Sequence, residues 1–277
     1  MPLITPPPRR PRLWHAWTPI QLSIFAALLV VADAFWRLAL YQLIQDAFAT
    51  VIAASFLAVV LPCLVLARWH GETLSGAFEL RPRSRAVIGG VAAGLLGWAP
   101  AGLLADWSAT LRPPTPEQLE LLEAQLPTGT AGIVTAALAA VIVAPFAEEL
   151  LFRGLFFRLA RDQWGFAGGA VLTALFFGVL HDQPWSLFGL VGLGLLFACL
   201  YQWTGSLVAP FAAHAAHNAV TLVVLLRLDG DLEAEVLTGP AGWALLAASA
   251  ALLAWLLVWL RRRGPVPAAA TPGGDRG

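Results

Sequence analysis

The chain has 277 residues, 58% hydrophobic and 12% charged, with no formal net charge. A soluble domain carries about 25% charged residues, and the shortfall lies in long stretches almost without charge, the pattern of membrane spans. No basic patch is interleaved with aromatics, which argues against a nucleic-acid partner. Cys63 and Cys199 both sit in apolar runs, which argues against a disulfide framework or a cysteine zinc cluster.

Residues 1–19 are rich in Pro and Arg and have no apolar core ahead of a small-residue cleavage site. They read as a cytoplasmic tail rather than a signal peptide. A membrane-crossing helix needs about 20 apolar residues. Eight candidate spans follow, at roughly 20–44, 48–67, 86–106, 131–158, 168–182, 186–203, 206–226 and 241–260, the fifth and sixth short. The expected fold is all-α, a polytopic membrane helical bundle of about eight transmembrane helices. It forms one membrane domain over 20–263 without internal repeats, followed by a disordered tail at 264–277.

Charge placement sets the orientation. Arg supplies every Lys-or-Arg position. With the N-terminus inside, the cytoplasmic side receives Arg9, Arg10, Arg12, Arg68, Arg81, Arg83, Arg85, Arg158, Arg161, Arg261, Arg262 and Arg263. The outer side receives Asp106, Glu117, Glu120, Glu123, Asp229, Asp231, Glu233 and Glu235, with only Arg112 and Arg227. This positive-inside bias predicts both termini in the cytoplasm. The Ala-, Leu-, Gly- and Arg-rich composition suggests a bacterial cytoplasmic membrane.

The outer segment 115–126 carries its own helix signal. Thr115 can cap, Pro116 suits the first helical position, and Gln118 completes a capping box. Leu119, Leu122 and Leu126 share a face, so the segment reads either as an interfacial helix or as a soluble loop helix.

Ionisable groups at bilayer depth cost at least about 2.5–3.5 kcal/mol each, so they need partners or a function. Asp33 and Arg37 in the first span stand at i, i+4 and read as a structural ion pair. In the fourth span, Ala147 to Gly154 reads A-E-E-L-L-F-R-G. Glu148 and Glu149 point about 100° apart on a helix, and Arg153 is four residues after Glu149. Either both carboxylates are structural and share Arg153, or Glu149 and Arg153 form scaffolding and Glu148 is free as a base. The fifth span holds F-x-x-x-H, Phe177 to His181. The seventh holds H-A-A-H-N, in which His214 and Asn218 share a face and His217 points away from it. His15 and His70 lie outside the spans and receive no role.

Depth connects three of these places. At about 1.5 Å per residue, Glu148 and His181 lie roughly 15–20 Å, and His214 roughly 10–15 Å, from the cytoplasmic ends of their spans. Unrelated structural residues have no reason to share a level, so a common site is expected.

The three segments resemble the motif set of the CAAX-protease and bacteriocin-processing (CPBP, or Abi) family, which includes the type II CAAX prenyl endopeptidases. The pattern E-E-x-x-x-R stands as Glu148-Glu149-Leu150-Leu151-Phe152-Arg153. F-x-x-x-H stands as Phe177 to His181, and H-x-x-x-N as His214 to Asn218. The flank L-F-A-C-L-Y-Q-W-T-G-S-L-V-A-P before the last histidine matches too, and the resemblance covers about 130–222. It implies an intramembrane endopeptidase. Glu148 would be the general base, aided by His181. His214 and Asn218 would stabilise the oxyanion, and Glu149, Arg153 and Phe177 would support them. The resemblance leaves open whether a metal takes part. No cofactor is favoured, since H-E-x-x-H is absent; if zinc were bound, Glu148, His181 and His214 would be its ligands. The expected partners are the lipid bilayer and a membrane-associated peptide or protein, prenylated or not. A non-catalytic immunity or scaffold protein retaining the motif is the alternative. A transporter is disfavoured, because no inverted repeat is visible.

Overall fold

In a computed structural model, residues 13–228 and 239–264 are described. The expected N-terminal arginines Arg9, Arg10 and Arg12, the acidic residues Asp229, Asp231, Glu233 and Glu235, and most of both tails lie outside them. Among the described residues every regular element is helical, and the chain is a polytopic bundle of membrane-spanning length. Helix α1 covers Pro19–Ile44, α2 Ala47–Trp69, α3 Ser84–Leu111, α4 Pro116–Glu123, α5 Gly129–Leu180, α6 Leu187–Thr204, α7 Val208–Arg227 and α8 Gly239–Arg263.

Seven of these runs are long and apolar enough to cross a membrane, and α5 alone has 52 residues. It breaks at Gly165, where φ is 71° and ψ 178°. That conformation is open to glycine and closed to other residues. The break divides α5 into the fourth and fifth spans expected from the sequence. At about 1.5 Å per residue the first arm exceeds the ~30 Å hydrocarbon core and the second falls short of it.

Local chemistry sets the ends. Thr18 caps α1 through a capping box with Gln21. Thr115 caps α4 in the same way, with Gln118 N donating to Thr115 Oγ1 at 3.3 Å and Thr115 N donating to Gln118 Oε1 at 2.9 Å. A bond from its own backbone N–H, then one from Thr115, holds the Glu117 carboxyl below the usual carboxylate range. The α4 helix ends at Glu123, short of Leu126.

A lipid-facing surface and a small-residue interior complete the bundle. In α1, Ile24, Leu28, Val31 and Phe35 form an exposed stripe, while Leu22, Ala26 and Leu29 are buried. Such a stripe costs nothing against lipid tails. The α3 and α7 helices approach closely at Gly94, where a Cβ would collide with the Ala213 backbone. Small residues permit this approach where no hydrophobic force drives helices together.

One end of the bundle collects Arg81, Arg85 and Arg158. Trp14 Nε1 and Arg158 Nη1 both donate to Ala77 O, at 2.8 and 3.2 Å. Arg85 Nη2 donates to Gly264 O at 2.5 Å, joining the start of α3 to the end of α8. Ser206 Oγ donates to Arg81 O at 2.7 Å, and Tyr201 Oη to Glu79 at 2.7 Å. At the opposite end, Phe188 N donates to Ser108 Oγ at 2.7 Å, tying the end of α3 to the start of α6. His70 is buried and meets the Trp17 ring edge-on. Cys63 in α2 and Cys199 in α6 are free.

Candidate active site

The two glutamates sit on a short α-helical stretch of α5, Ala144–Leu151, bounded on both sides by wider π turns at Leu138–Val143 and Phe152–Phe157. Pro145 follows the first of them. Its missing N–H and its ring conflict with the carbonyl four residues back, and a π turn absorbs that conflict. Such turns recur at functional sites. A third precedes Pro62 in α2, at Phe56–Val60. Sequence periodicity does not reveal them.

The 100° offset of neighbouring helical residues gives the two carboxylates different surroundings. Glu149 faces the interior and is fully buried. Glu148 keeps 25% of its side chain exposed. Arg153 Nη1 donates to Glu149 Oε1 at 2.9 Å, the expected i, i+4 bridge. Its Nη2 donates to Gly194 O at 3.0 Å. The guanidinium also lies 4.9 Å from the Phe177 ring centroid and 5.0 Å from that of Phe197. A cation buried this deeply needs such partners, and the rings add attraction through their negative faces.

Glu149 has a second partner that spacing did not indicate. His214 Nδ1 lies 3.1 Å from Glu149 Oε1. The His214 ring stacks on Phe197 at 4.9 Å and meets Phe177 edge-on at 5.7 Å. Phe177 also holds His181, ring to ring, at 4.3 Å. Phe177 thus separates and orients both imidazoles and covers Arg153. Phe197, absent from the expected site, shares this work; its only signal was the flank before the last histidine.

Hydrogen-bond chemistry fixes what the imidazoles present. His181 Nδ1 lies 2.6 Å from Phe177 O, which can only accept, so that nitrogen carries the proton. With Glu149 ionised, the same holds for His214 Nδ1. In its neutral form each ring then carries its lone pair at Nε2. Those atoms lie 3.7 Å (His181) and 3.8 Å (His214) from Glu148 Oε2. Glu148 Oε2 is itself buried with no hydrogen-bond partner. Two ring nitrogens and one carboxylate oxygen therefore converge on one point. A water molecule, with two O–H groups, can bridge the carboxylate oxygen and one such nitrogen.

Zinc sets a spacing for such ligands. Bonds of about 2.0–2.1 Å place tetrahedral ligand atoms about 3.4 Å apart, and both separations from Glu148 are wider. Among the described residues no group of three His, Cys, Asp or Glu side chains is arranged to hold a metal ion.

Asn218 Nδ2 donates to Ala140 O at 2.8 Å, inside the first π turn. One of its two N–H groups is thereby committed and the other is left for a ligand. His217 does not point away from the site, as helical spacing suggested. It lines the same cavity as His214 and Asn218. At i+3 from His214 it lies only about 60° from that face, and the cavity is wide enough to include it.

Two cavities meet at the carboxylate. The larger, about 630 Å³, includes His214, His217 and Asn218 and extends to Asp106, Gln183 and Ser186, away from the arginine end. The smaller, about 360 Å³, lies between α1, α2 and α5 and includes Asp33, Arg37, Ser55 and Val59. Among the described residues, Glu148 and His181 alone line both. Both volumes are typical of ligand sites.

Residues 130–220 match the family described as Rce1-like, type II CAAX prenyl endopeptidase. Over 88 residues the chain is 31% identical to the protein named "Putative membrane peptidase YdiL" of Bacillus subtilis (strain 168), covering 32% of this chain and 35% of that one. Over 76 residues it is 37% identical to "Uncharacterized protein YpbD" of the same organism, covering 27% of this chain and 38% of the other. The chain thus spans little more than a third of the length of either relative. No solved structure matches it. Residues 130–220, which hold every motif residue from Glu148 to Asn218, are similar to the type II CAAX prenyl endopeptidases, the family that the three motifs resemble.

Proposed function

We propose that the chain is an intramembrane endopeptidase that hydrolyses peptide bonds of membrane-associated peptides or proteins, with Glu148 as general base. The observation that carries this reading is the position of Glu148. It is the partly open carboxylate of the E-E pair, it adjoins both cavities, and its Oε2 faces the Nε2 atoms of two imidazoles. The similarity of 130–220 to a protease family supports the same reading.

The reaction follows from the groups in place. A water held between Glu148 Oε2 and an Nε2 gives its proton to Glu148 as its oxygen bonds to the scissile carbonyl carbon. Negative charge moves onto the carbonyl oxygen, where the uncommitted N–H of Asn218 can meet it. A neutral His214 has no Nε2 proton to give; as an imidazolium it becomes a second donor. When the C–N bond breaks, Glu148 returns the proton to the leaving amine. No step requires a metal. Prenylated C-terminal tails and unprenylated membrane peptides both fit this chemistry. The arginine-rich end belongs in the cytoplasm of a bacterial membrane by the positive-inside rule.

Glu148→Gln keeps the shape and loses the base. In detergent it should fold like the parent, with the same melting temperature, and cleave no fluorogenic peptide. His181→Ala should behave alike. Full activity in the Glu148→Gln protein would sink the assignment and favour a scaffold.

A further inference from the structure

Asp33 and Arg37 pair as their spacing predicts, with Arg37 Nε 2.5 Å from Asp33 Oδ2. A purely structural pair would satisfy itself and face a helix partner. This one lines the smaller cavity together with Glu148 and His181. It is also incomplete. Asp33 Oδ1 is buried with no hydrogen-bond partner. Arg37 spends only Nε on Asp33, and its side chain keeps 39% exposure, so its terminal nitrogens have donors to give. A spare acceptor thus stands beside spare donors, held together in one direction by a salt bridge.

The demand for such a pair comes from the substrate. A peptide bond cannot be attacked inside a regular helix, because the helix wraps its own carbonyls, so the cleaved segment must be extended. Extended backbone within the hydrocarbon region carries unpaired N–H and C=O groups, each costing several kcal/mol unless the protein supplies partners. In an extended residue the N–H and C=O point to the same side and exchange two bonds with one partner, as along a strand edge. Asp33 Oδ1 can accept that N–H, and the Arg37 fork can donate to that C=O.

Resting on the protease reading, we propose that Asp33 and Arg37 are a substrate-binding pair. They clamp the main chain of one extended residue in the smaller cavity, to one side of the scissile bond, while the other side of the substrate lies along His214 and Asn218. The ligand is a peptide unit, recognised through its N–H and C=O and independent of its side chain. The pair makes the enzyme a reader of unwound membrane peptides and leaves sequence selection to the cavity walls.

The test is a coupling measurement on the full chain with Glu148→Gln, so that the probe is bound and not consumed. The probe is a dansylated ten-residue peptide of Ala, Leu and Val, titrated in detergent and read by fluorescence. Each amide N–H is replaced in turn by N–CH3. At one position methylation should weaken binding at least about tenfold, the scale for stranding a buried acceptor. In the same chain carrying Asp33→Leu and Arg37→Leu, methylation at that position should cost nothing further. The double substitution removes both charges at once, so no unpaired ion is left to unfold the bundle. Equal penalties in the two proteins at every position, or no binding when Asp33 and Arg37 are intact, would overturn the clamp. Absence of cleavage by the parent chain with the coupling preserved would instead sink the protease reading and leave the clamp standing.

Discussion

His214 is held from behind by Glu149, with Nδ1 3.1 Å from Oε1, the same oxygen that Arg153 binds at 2.9 Å. The His214 ring therefore links the two glutamates, Nδ1 toward Glu149 and Nε2 toward Glu148. With Glu149 ionised, that contact places the His214 proton on Nδ1 and turns Nε2 toward Glu148. Two adjacent carboxylates have two environments, one sealed inside the bundle and one adjoining the cavities.

Arg153→Ala leaves Glu149 buried without its cation. Breaking a buried pair from one side costs about 3–5 kcal/mol, so we expect a clear fall in melting temperature and in membrane yield together with lost cleavage. Arg153→Lys should not restore either, since one ammonium cannot serve Glu149 and Gly194 with a planar fork. An inactive Arg153→Ala protein that melts like the parent would place Arg153 in the chemistry itself.

Asn218→Ala removes the candidate oxyanion donor and should lower kcat by about a hundredfold or more, the scale for one such donor. His217→Ala is expected to act differently. His217 lines the cavity beside Asn218 without facing Glu148, so its loss should raise KM several-fold with kcat nearly kept. Steady-state kinetics on a fluorogenic peptide separates the two patterns. A silent His217→Ala would mean that the substrate does not reach that wall.

Chelation tests the nucleophile. Prolonged dialysis against a strong chelator should leave peptide cleavage intact if Glu148 activates water unaided. Activity lost on chelation and regained with zinc would make Glu148, His181 and His214 ligands, and the separations of 3.7 and 3.8 Å around Glu148 would have to close on the ion.

Reporter fusions at the two ends test the orientation. Arg81, Arg85 and Arg158 lie at one end of the bundle with Gly264, and Arg68 and Arg83 flank the link from α2 to α3 there. Both fusions should report the cytoplasm. A periplasmic signal at either end would remove a span.

Much of the fold was legible because bilayer burial imposes a long, readable pattern. Span edges such as 20–44 and 206–226 fall within a few residues of Pro19–Ile44 and Val208–Arg227, since apolar length and flanking Arg set them directly. The α4 cap was legible because Thr115, Pro116 and Gln118 act over three residues. The Glu149–Arg153 and Asp33–Arg37 pairs were legible because i, i+4 spacing is local geometry. What the sequence could not determine depends on contacts between distant segments or on departures from the 3.6-residue period. The π turns around Ala144–Leu151 shift the phase that spacing arguments assume. The Asn218 bond to Ala140, the stacking of His214 on Phe197 and the return of His217 to the site all require α5, α6 and α7 to be packed together. The opening of Asp33 and Arg37 onto the cavity of Glu148 depends likewise on how α1 lies against α5, which small residues and lipid contacts decide and no local pattern encodes.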